Sequence, residues 1–223
     1  DKVKVMTKGG LGSQTEVYDR ILISVGRTPN SKDLGLENVG IERDKKGFIT
    51  TDMFGRTTQS NIYAIGDVIG GSMLAHKASN EAKVLVEHLN GTERIEKPTI
   101  IPAVVYTDPE IAWAGITENE AKIAGTKISV AKFYWQASGR AACIGRNDGL
   151  TNLLCDPVTN RILGIGITGP GAGELIAEGV LAIEQKLTAK DIANTVHPHP
   201  TLSETLMEAA EVYLGKSTHL YKH

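Results

Sequence analysis

From Thr151 to Leu214 the chain reads as two strands in succession and then three helices in succession. Thr151–Cys155 and Arg161–Thr168 are apolar, β-branched runs on either side of a turn at Asp156-Pro157 and Asn160, which is a hairpin pattern. Helical periodicity follows at Gly173–Lys186, Ala189–Thr195 and Leu202–Leu214. The last has apolar positions at Leu202, Leu206, Ala209, Ala210 and Tyr213 and is closed by Gly215. A parallel sheet needs a crossover, usually a helix, between its strands. Here strands and helices do not alternate, so a doubly wound sheet is disfavoured. The expected class is α+β: an antiparallel sheet with helices on one face. Ile100–Tyr106, Ile111–Ala114 and Lys127–Trp135 supply further strands, with a turn at Asp108-Pro109-Glu110. Between them Thr117-x-x-Glu120 opens a short helix that Gly125 ends, and residues 137–141 read as a loop.

The character changes near Lys97-Pro98, and the residues before it do not form a second such pattern. Lys2–Met6 alternates polar and apolar like a half-buried strand, and residues 9–13 are a Gly-rich turn. Glu16–Val25 reads as a second strand that ends in the apolar run Ile21–Val25. This is a sheet edge rather than a domain. Gly26-Arg27-Thr28-Pro29-Asn30 breaks it, on composition alone a plain turn. Asn30–Ser60 is polar and turn-rich, with a short strand expected at Gly47–Thr51. A strand from Asn61 then ends in Gly66-Asp67. There the carboxylate can accept a sugar hydroxyl or cap the next segment. Gly70-Gly71 leads through Met73 and Leu74 to a helix that runs to about Leu89 and is closed by Asn90-Gly91. The start of such a helix presents free N–H groups and the positive dipole end, with Ala75 and His76 in its first turn. His76 reads equally as an exposed surface residue.

Before the last helix stands His197-Pro198-His199-Pro200-Thr201-Leu202-Ser203-Glu204. An imidazole just ahead of a helix, with a carboxylate in its first turn, can serve as a general base with an orienting acid: the carboxylate accepts one ring N–H and leaves the other nitrogen free. The same spacing is also a capping box, with Thr201 at the N-cap and Glu204 at N3. A metal is not expected, since structural sites usually take four ligands and catalytic ones three.

Composition excludes several classes. The 223 residues carry a net charge of −2 without a basic block or an acidic tail, which gives nucleic acid no footprint. No apolar run approaches the roughly 18 residues of a membrane span. Cys143 and Cys155 match neither zinc nor Cys-x-x-Cys spacing and read as buried thiols in a reducing compartment. No signal peptide is visible. The chain begins without Met, inside a strand, and is expected to be cut from something longer. Gly164-Ile-Gly166-Ile-Thr-Gly169 satisfies G-x-G-x-x-G, but the residue about 20 positions on is Glu184, mid-helix, with no second strand to carry it. Those glycines are expected to allow close strand-helix packing instead.

His199-Pro200-Thr201-x-x-Glu204 resembles the C-terminal signature of the flavin disulfide reductases, and the fuller form with His197 resembles the dihydrolipoamide dehydrogenases among them. Tyr63-Ala-Ile-Gly66-Asp67 resembles the second flavin-binding motif of that family, and Met73-Leu74-Ala75-His76 its flavin-contacting tetrapeptide. The resemblance covers essentially the whole chain but only the C-terminal part of a family member. The first flavin fingerprint, the cysteine pair of the redox disulfide and the nicotinamide-binding fingerprint have no counterpart here. Pro198 is a small departure that leaves the spacing from His199 to Glu204 intact. Glutathione reductase usually has no His two residues before the base, and mercuric reductase ends in a cysteine pair that this chain lacks.

The resemblance implies a division into the end of a nicotinamide-binding domain (1–26), a central, FAD-contacting segment (27–97) and an interface or dimerisation domain (98–223). It implies His199 as the base held by Glu204, and His199-Pro200 as a candidate cis peptide. It implies that Asp67 binds the ribityl chain of FAD and that residues 73–76 contact the flavin. At Gly26 the chain would pass close to the nicotinamide nucleotide. Cofactors would be FAD and NAD. Partners would be a second copy of the chain and the lipoyl domains of 2-oxo acid dehydrogenase or glycine cleavage complexes. The location would be the bacterial cytoplasm or the mitochondrial matrix. The chain alone would be a non-catalytic dimerisation fragment. Segment 27–97, with sheet partners expected upstream, should be the least ordered part.

Overall fold

The structure, a computed structural model, describes residues 2–10, 12–92 and 100–220. It forms two compact units, Asp1–Met73 and Leu74–His223. The change of character at Lys97-Pro98 lies outside the described residues.

In the first unit, β1 (Val3–Gly9) pairs antiparallel with β2 (Gly12–Tyr18), with Val3 opposite Tyr18 and Gly9 opposite Gly12. The turn is thus tighter than the sequence indicates, since Gly9, Gly12 and Ser13 are already in the ladder; Leu11 lies outside the described residues. The second strand also ends earlier than expected. Residues 19–25 form no strand, and Leu22 and Val25 are 91% and 92% exposed. An apolar run becomes a strand by pairing, and among the described residues nothing pairs with this one. The strands expected at 47–51 and 61–65 reduce to isolated bridges, Arg43 to Ile49 and Arg56 to Tyr63. Leu36, Ile41 and Ile49 bury together, with Ile62, Ala64, Val68 and Ile69 packed against them. Asp44 and Asp52 each accept two backbone N–H bonds across their turns, which brings the bridges into register.

The second unit is the α+β assembly. Its strands are β3 (Ala103–Val105), β4 (Ile111–Gly115), β5 (Ser129–Tyr134), β6 (Leu150–Cys155) and β7 (Ile162–Thr168). They form one antiparallel sheet in the order β3-β4-β7-β6-β5. Helix α1 (Ala75–Leu89) precedes the sheet; α2 (Glu118–Ala124) and α3 (Gly139–Cys143) lie in its connections. After it come α4 (Ala172–Glu184), α5 (Ala189–Asn194) and α6 (Glu204–Leu214). The register sets two apolar rows across one face: Ala112, Ile167, Thr151, Phe133 and Ala114, Ile165, Leu153, Ala131. All eight are buried, and α4 packs on β4 and β7 while α6 packs on β5 and β6.

Both cap motifs of α2 form as expected: Thr117 and Glu120 make a reciprocal capping box, and Gly125 closes the helix with φ +67°. Of residues 137–141, expected as loop, the last three fall in α3 (Gly139–Cys143), because the Ser138 hydroxyl caps the Ala141 N–H and Ala141 is fully buried. Of the two thiols, Cys155 is buried and Cys143 exposed on α3, which corrects the expectation that both are buried. Burial, and then the neighbouring Asp156 charge, push the Cys155 thiol up to about 12, so it stays protonated and inert. The close strand-helix approach expected of the Gly164-x-Gly166 run is made instead by Gly179 of α4, where a Cβ would sit 2.6 Å from Ile165.

Candidate active site

His199 lies on the turn from α5 into α6, and its peptide bond to Pro200 is cis. Its Nδ1–H donates to Glu204 Oε1 at 2.9 Å, while the Thr201 N–H donates to Glu204 Oε2 at 2.7 Å. Both carboxylate oxygens are thus engaged, and the imidazole is fixed with Nε2 unpartnered among the described residues and able to accept. His199 is 75% exposed in its side chain and Glu204 only 19%.

The competing capping-box reading is half met. The Thr201 N–H to Glu204 arm is present, but α6 starts at Glu204 itself, two residues later than the pattern indicates, and the reciprocal arm is missing. The Thr201 hydroxyl donates to the Pro198 carbonyl at 2.7 Å and meets Ser203 Oγ at 2.9 Å. It is spent closing the turn.

Burial opposes the charge on Glu204, but the Thr201 N–H and the His199 ring outweigh it, and the carboxyl is held below its ordinary value of 4.5. A depressed carboxyl stabilises the fold above the pKa of the unfolded chain, and that contribution is lost as pH falls through the folded value. The expected result is that Glu204→Gln lowers the urea midpoint at neutral pH. The gap from wild type should close as pH falls below 4.5. Parallel urea titrations at about pH 7 and about pH 3 check it.

His197 points the other way. Its Nδ1–H donates to the Thr195 carbonyl at 2.9 Å, and Nε2 meets Glu178 Oε1 at 2.8 Å, with only 5% of the His197 side chain exposed. The two histidines therefore have separate surroundings: one ties the turn down to α4, the other faces out. Behind the pair lies a cavity of about 190 Å³ lined by His199, Glu204, Thr205, Glu208, His219 and Ser138 among others. Glu208 Oε1 meets His219 Nδ1 at 2.5 Å, and its other oxygen is buried with no hydrogen-bond partner among the described residues. Sequence reasoning missed Glu178, Glu208 and His219. Each is a helix or tail residue whose partner is remote in sequence, and no local spacing marks it.

The remaining expected site residues fall in both units. In the first, Asp67 lies in a 3-10 turn over Gly66–Ile69 with its carboxylate half exposed, 3.4 Å from Arg27 Nη1. Gly26 has φ +139°, and a Cβ there would touch nothing within 4 Å. Met73 is the last residue of this unit. In the second, Leu74 is the N-cap of α1 and offers no side-chain acceptor, so the first N–H groups of the helix are not capped by it. Ala75 and His76 begin the helix. His76 is exposed, and its ring Nε2 binds the Pro102 carbonyl at 2.7 Å. Among the described residues no three His, Cys, Asp or Glu side chains converge to hold a metal ion, and no helix is long and apolar enough to cross a membrane.

Residues 101–210 match the dimerisation domain of the pyridine nucleotide-disulphide oxidoreductases, and residues 1–82 match the pyridine nucleotide-disulphide oxidoreductase family. The chain belongs to this family. Among curated relatives it is 47% identical to the dihydrolipoyl dehydrogenase of Vibrio cholerae over 208 residues, 93% of this chain and 44% of that protein. It is 47% identical to that of Bacillus subtilis over 204 residues, 92% of this chain and 43% of the relative. Among solved structures, LpdA from Mycobacterium tuberculosis superposes with a TM-score of 0.81 at 29% identity, over 92% of this chain and 47% of that one. The HOCl-induced flavoprotein disulfide reductase RclA from Escherichia coli gives 0.83 at 26% identity, over 94% and 48%. This disulphide oxidoreductase chain thus spans less than half the length of the relatives it matches.

Proposed function

We propose that the chain is the C-terminal part of a dihydrolipoyl dehydrogenase, and that its own contribution to catalysis is the His199–Glu204 base. The observation that carries this is the 2.9 Å bond from His199 Nδ1 to a carboxylate whose second oxygen is already engaged. It leaves an exposed Nε2 able to take a proton. A dithiol is mostly protonated at neutral pH, and the thiolate is the nucleophile. His199 Nε2 accepts the thiol proton of dihydrolipoamide, Glu204 stabilises the resulting imidazolium, and the thiolate attacks the redox disulfide of the intact enzyme. FAD and NAD, when bound, carry the electron pair onward. Over a turnover the dithiol becomes a disulfide, NAD⁺ becomes NADH, and one proton is released.

Asp67 would accept hydroxyls of the ribityl chain: its carboxylate is half exposed and only loosely met by Arg27. Met73, Leu74, Ala75 and His76 would approach the flavin, with the uncapped N–H groups of α1 suited to an electron-rich edge. Gly26, at positive φ, would let the nicotinamide nucleotide pass. The chain divides on this reading at 26/27 and 97/98 into nicotinamide-domain end, central segment and interface domain. The dimerisation-domain match over 101–210 supports the last of these and a homodimer. Lipoyl domains of 2-oxo acid dehydrogenase or glycine cleavage complexes would be the substrates' carriers. Two free thiols fit a reducing compartment, bacterial cytoplasm or mitochondrial matrix. With neither a redox disulfide nor a phosphate cradle, the 223-residue chain alone is expected to be inactive.

The test uses the full-length protein that carries this chain. It should reduce NAD⁺ with dihydrolipoamide and leave glutathione disulfide untouched. Turnover of glutathione disulfide without dihydrolipoamide activity would overturn the substrate assignment.

A further inference from the structure

A buried hydrogen-bond chain runs from the β5–β6 side of the sheet to the turn that carries His199. The Trp135 indole N–H donates to the Thr151 hydroxyl at 3.0 Å, and Thr151 in turn donates to Thr205 Oγ1 at 2.8 Å. Thr205 then donates to the Leu202 carbonyl at 2.7 Å. Trp135 and Thr151 are fully buried and Thr205 is 1% exposed. The direction is forced. An indole N–H only donates and a carbonyl only accepts, so each hydroxyl between them must receive from one side and give to the other. Each proton in the chain is committed to one acceptor.

The end of this chain lies beside the base. Leu202 sits between Thr201, whose N–H holds Glu204 Oε2, and Glu204 itself. Its carbonyl also takes the Thr205 N–H at 3.1 Å, so Thr205 grips it twice. Ser203 at the N-cap makes no side-chain capping bond among the described residues. Packing of Leu206, Ala209 and Ala210 against the sheet seats α6, but apolar contact has no direction and does not fix the rotation of its first turn.

We propose that Thr205, Thr151 and Trp135 are positioning residues for the His199–Glu204 pair, fastening the turn that carries the base to the sheet through one directional relay. The functional consequence rests on the reading of this pair as the base of the dithiol half-reaction.

The test compares Thr205→Val, which keeps the shape and removes the relay, with Thr205→Ser, which keeps the hydroxyl, in the full-length protein. Two readouts are taken: the His199 Nδ1–H resonance in protein labelled with ¹⁵N-histidine, and dihydrolipoamide oxidation beside NADH oxidation by a one-electron acceptor, which needs no thiol base. Thr205→Val should lose the resonance and slow dihydrolipoamide kcat roughly ten- to a hundredfold, with KM and acceptor reduction unchanged. Thr205→Ser should match wild type. Thr151→Val should give a smaller loss, and the double variant should lose no more than Thr205→Val alone, as expected for links in one chain. Retention of the Nδ1–H resonance in Thr205→Val, or additive losses in the double variant, would overturn the relay. Loss of the resonance with undiminished dihydrolipoamide turnover would bear out the relay and overturn the assignment of the pair as the base.

Discussion

Replacing His199 by glutamine in the full-length reductase is expected to slow dihydrolipoamide oxidation by roughly 10² to 10⁴-fold at neutral pH, the range for loss of a positioned general base. Glutamine can still donate an amide N–H to Glu204, so the turn is retained while the proton acceptor is lost. The effect should fall on kcat more than on KM, because taking the proton matters only after the dithiol is bound. It should also shrink as pH rises toward the ordinary thiol pKa of about 8.5, where the thiolate forms without help. NADH oxidation by a one-electron acceptor should be unchanged. A variant within about twofold of wild type at neutral pH would place the base elsewhere.

Gly164→Ala is expected to destabilise the fold by about 3 kcal/mol or more, a large value for one methyl group. A Cβ at Gly164 would lie 2.0 Å from the Ile116 carbonyl oxygen and 3.1 Å from its carbon. The obstacle is backbone, not a side-chain end that can swing away. Gly164 sits in β7, which pairs with β4 on one side and β6 on the other, and the Ile116 N–H is bonded to the Leu163 carbonyl at 2.9 Å. Relieving the clash would break that bond and loosen the end of the β4–β7 ladder. Gly166→Ala, two residues along the same strand, is the control. Its nearest neighbour is Asn152 Cβ at 3.9 Å, so its cost should stay within about 0.5 kcal/mol. Urea midpoints of the two variants measure the difference. Equal losses would mean that strand propensity rather than close approach fixes these glycines.

The contrast between those glycines also shows what the sequence could convey. The succession of strands and helices from Thr151 onward announced an antiparallel sheet with helices on one face, because local periodicity carries that information. Capping motifs at Thr117 and Gly125 were legible for the same reason. Residues 19–25 were misread as strand because their apolar run is a strand pattern only where a partner exists. At residues 137–141 the turn-like composition hid a helix held by one hydroxyl and one buried alanine. The pairing of His199 with Glu204 was legible because the two are five apart in sequence. Its supports were not. Glu178 is 19 residues from His197, and Thr151 is 54 from Thr205, and such pairs exist only once the sheet and helices have packed.

On the proposed function, Glu204 holds His199 as the base for the dithiol. The measurement is rapid mixing of oxidised full-length protein with dihydrolipoamide in the absence of NAD⁺, followed by flavin absorbance, for wild type and Glu204→Gln. The same two proteins are then reduced with NADH. If the pair works as described, Glu204→Gln slows reduction by dihydrolipoamide by at least about tenfold and leaves reduction by NADH unchanged. Equal rates with dihydrolipoamide, or an equal loss with both reductants, would contradict it.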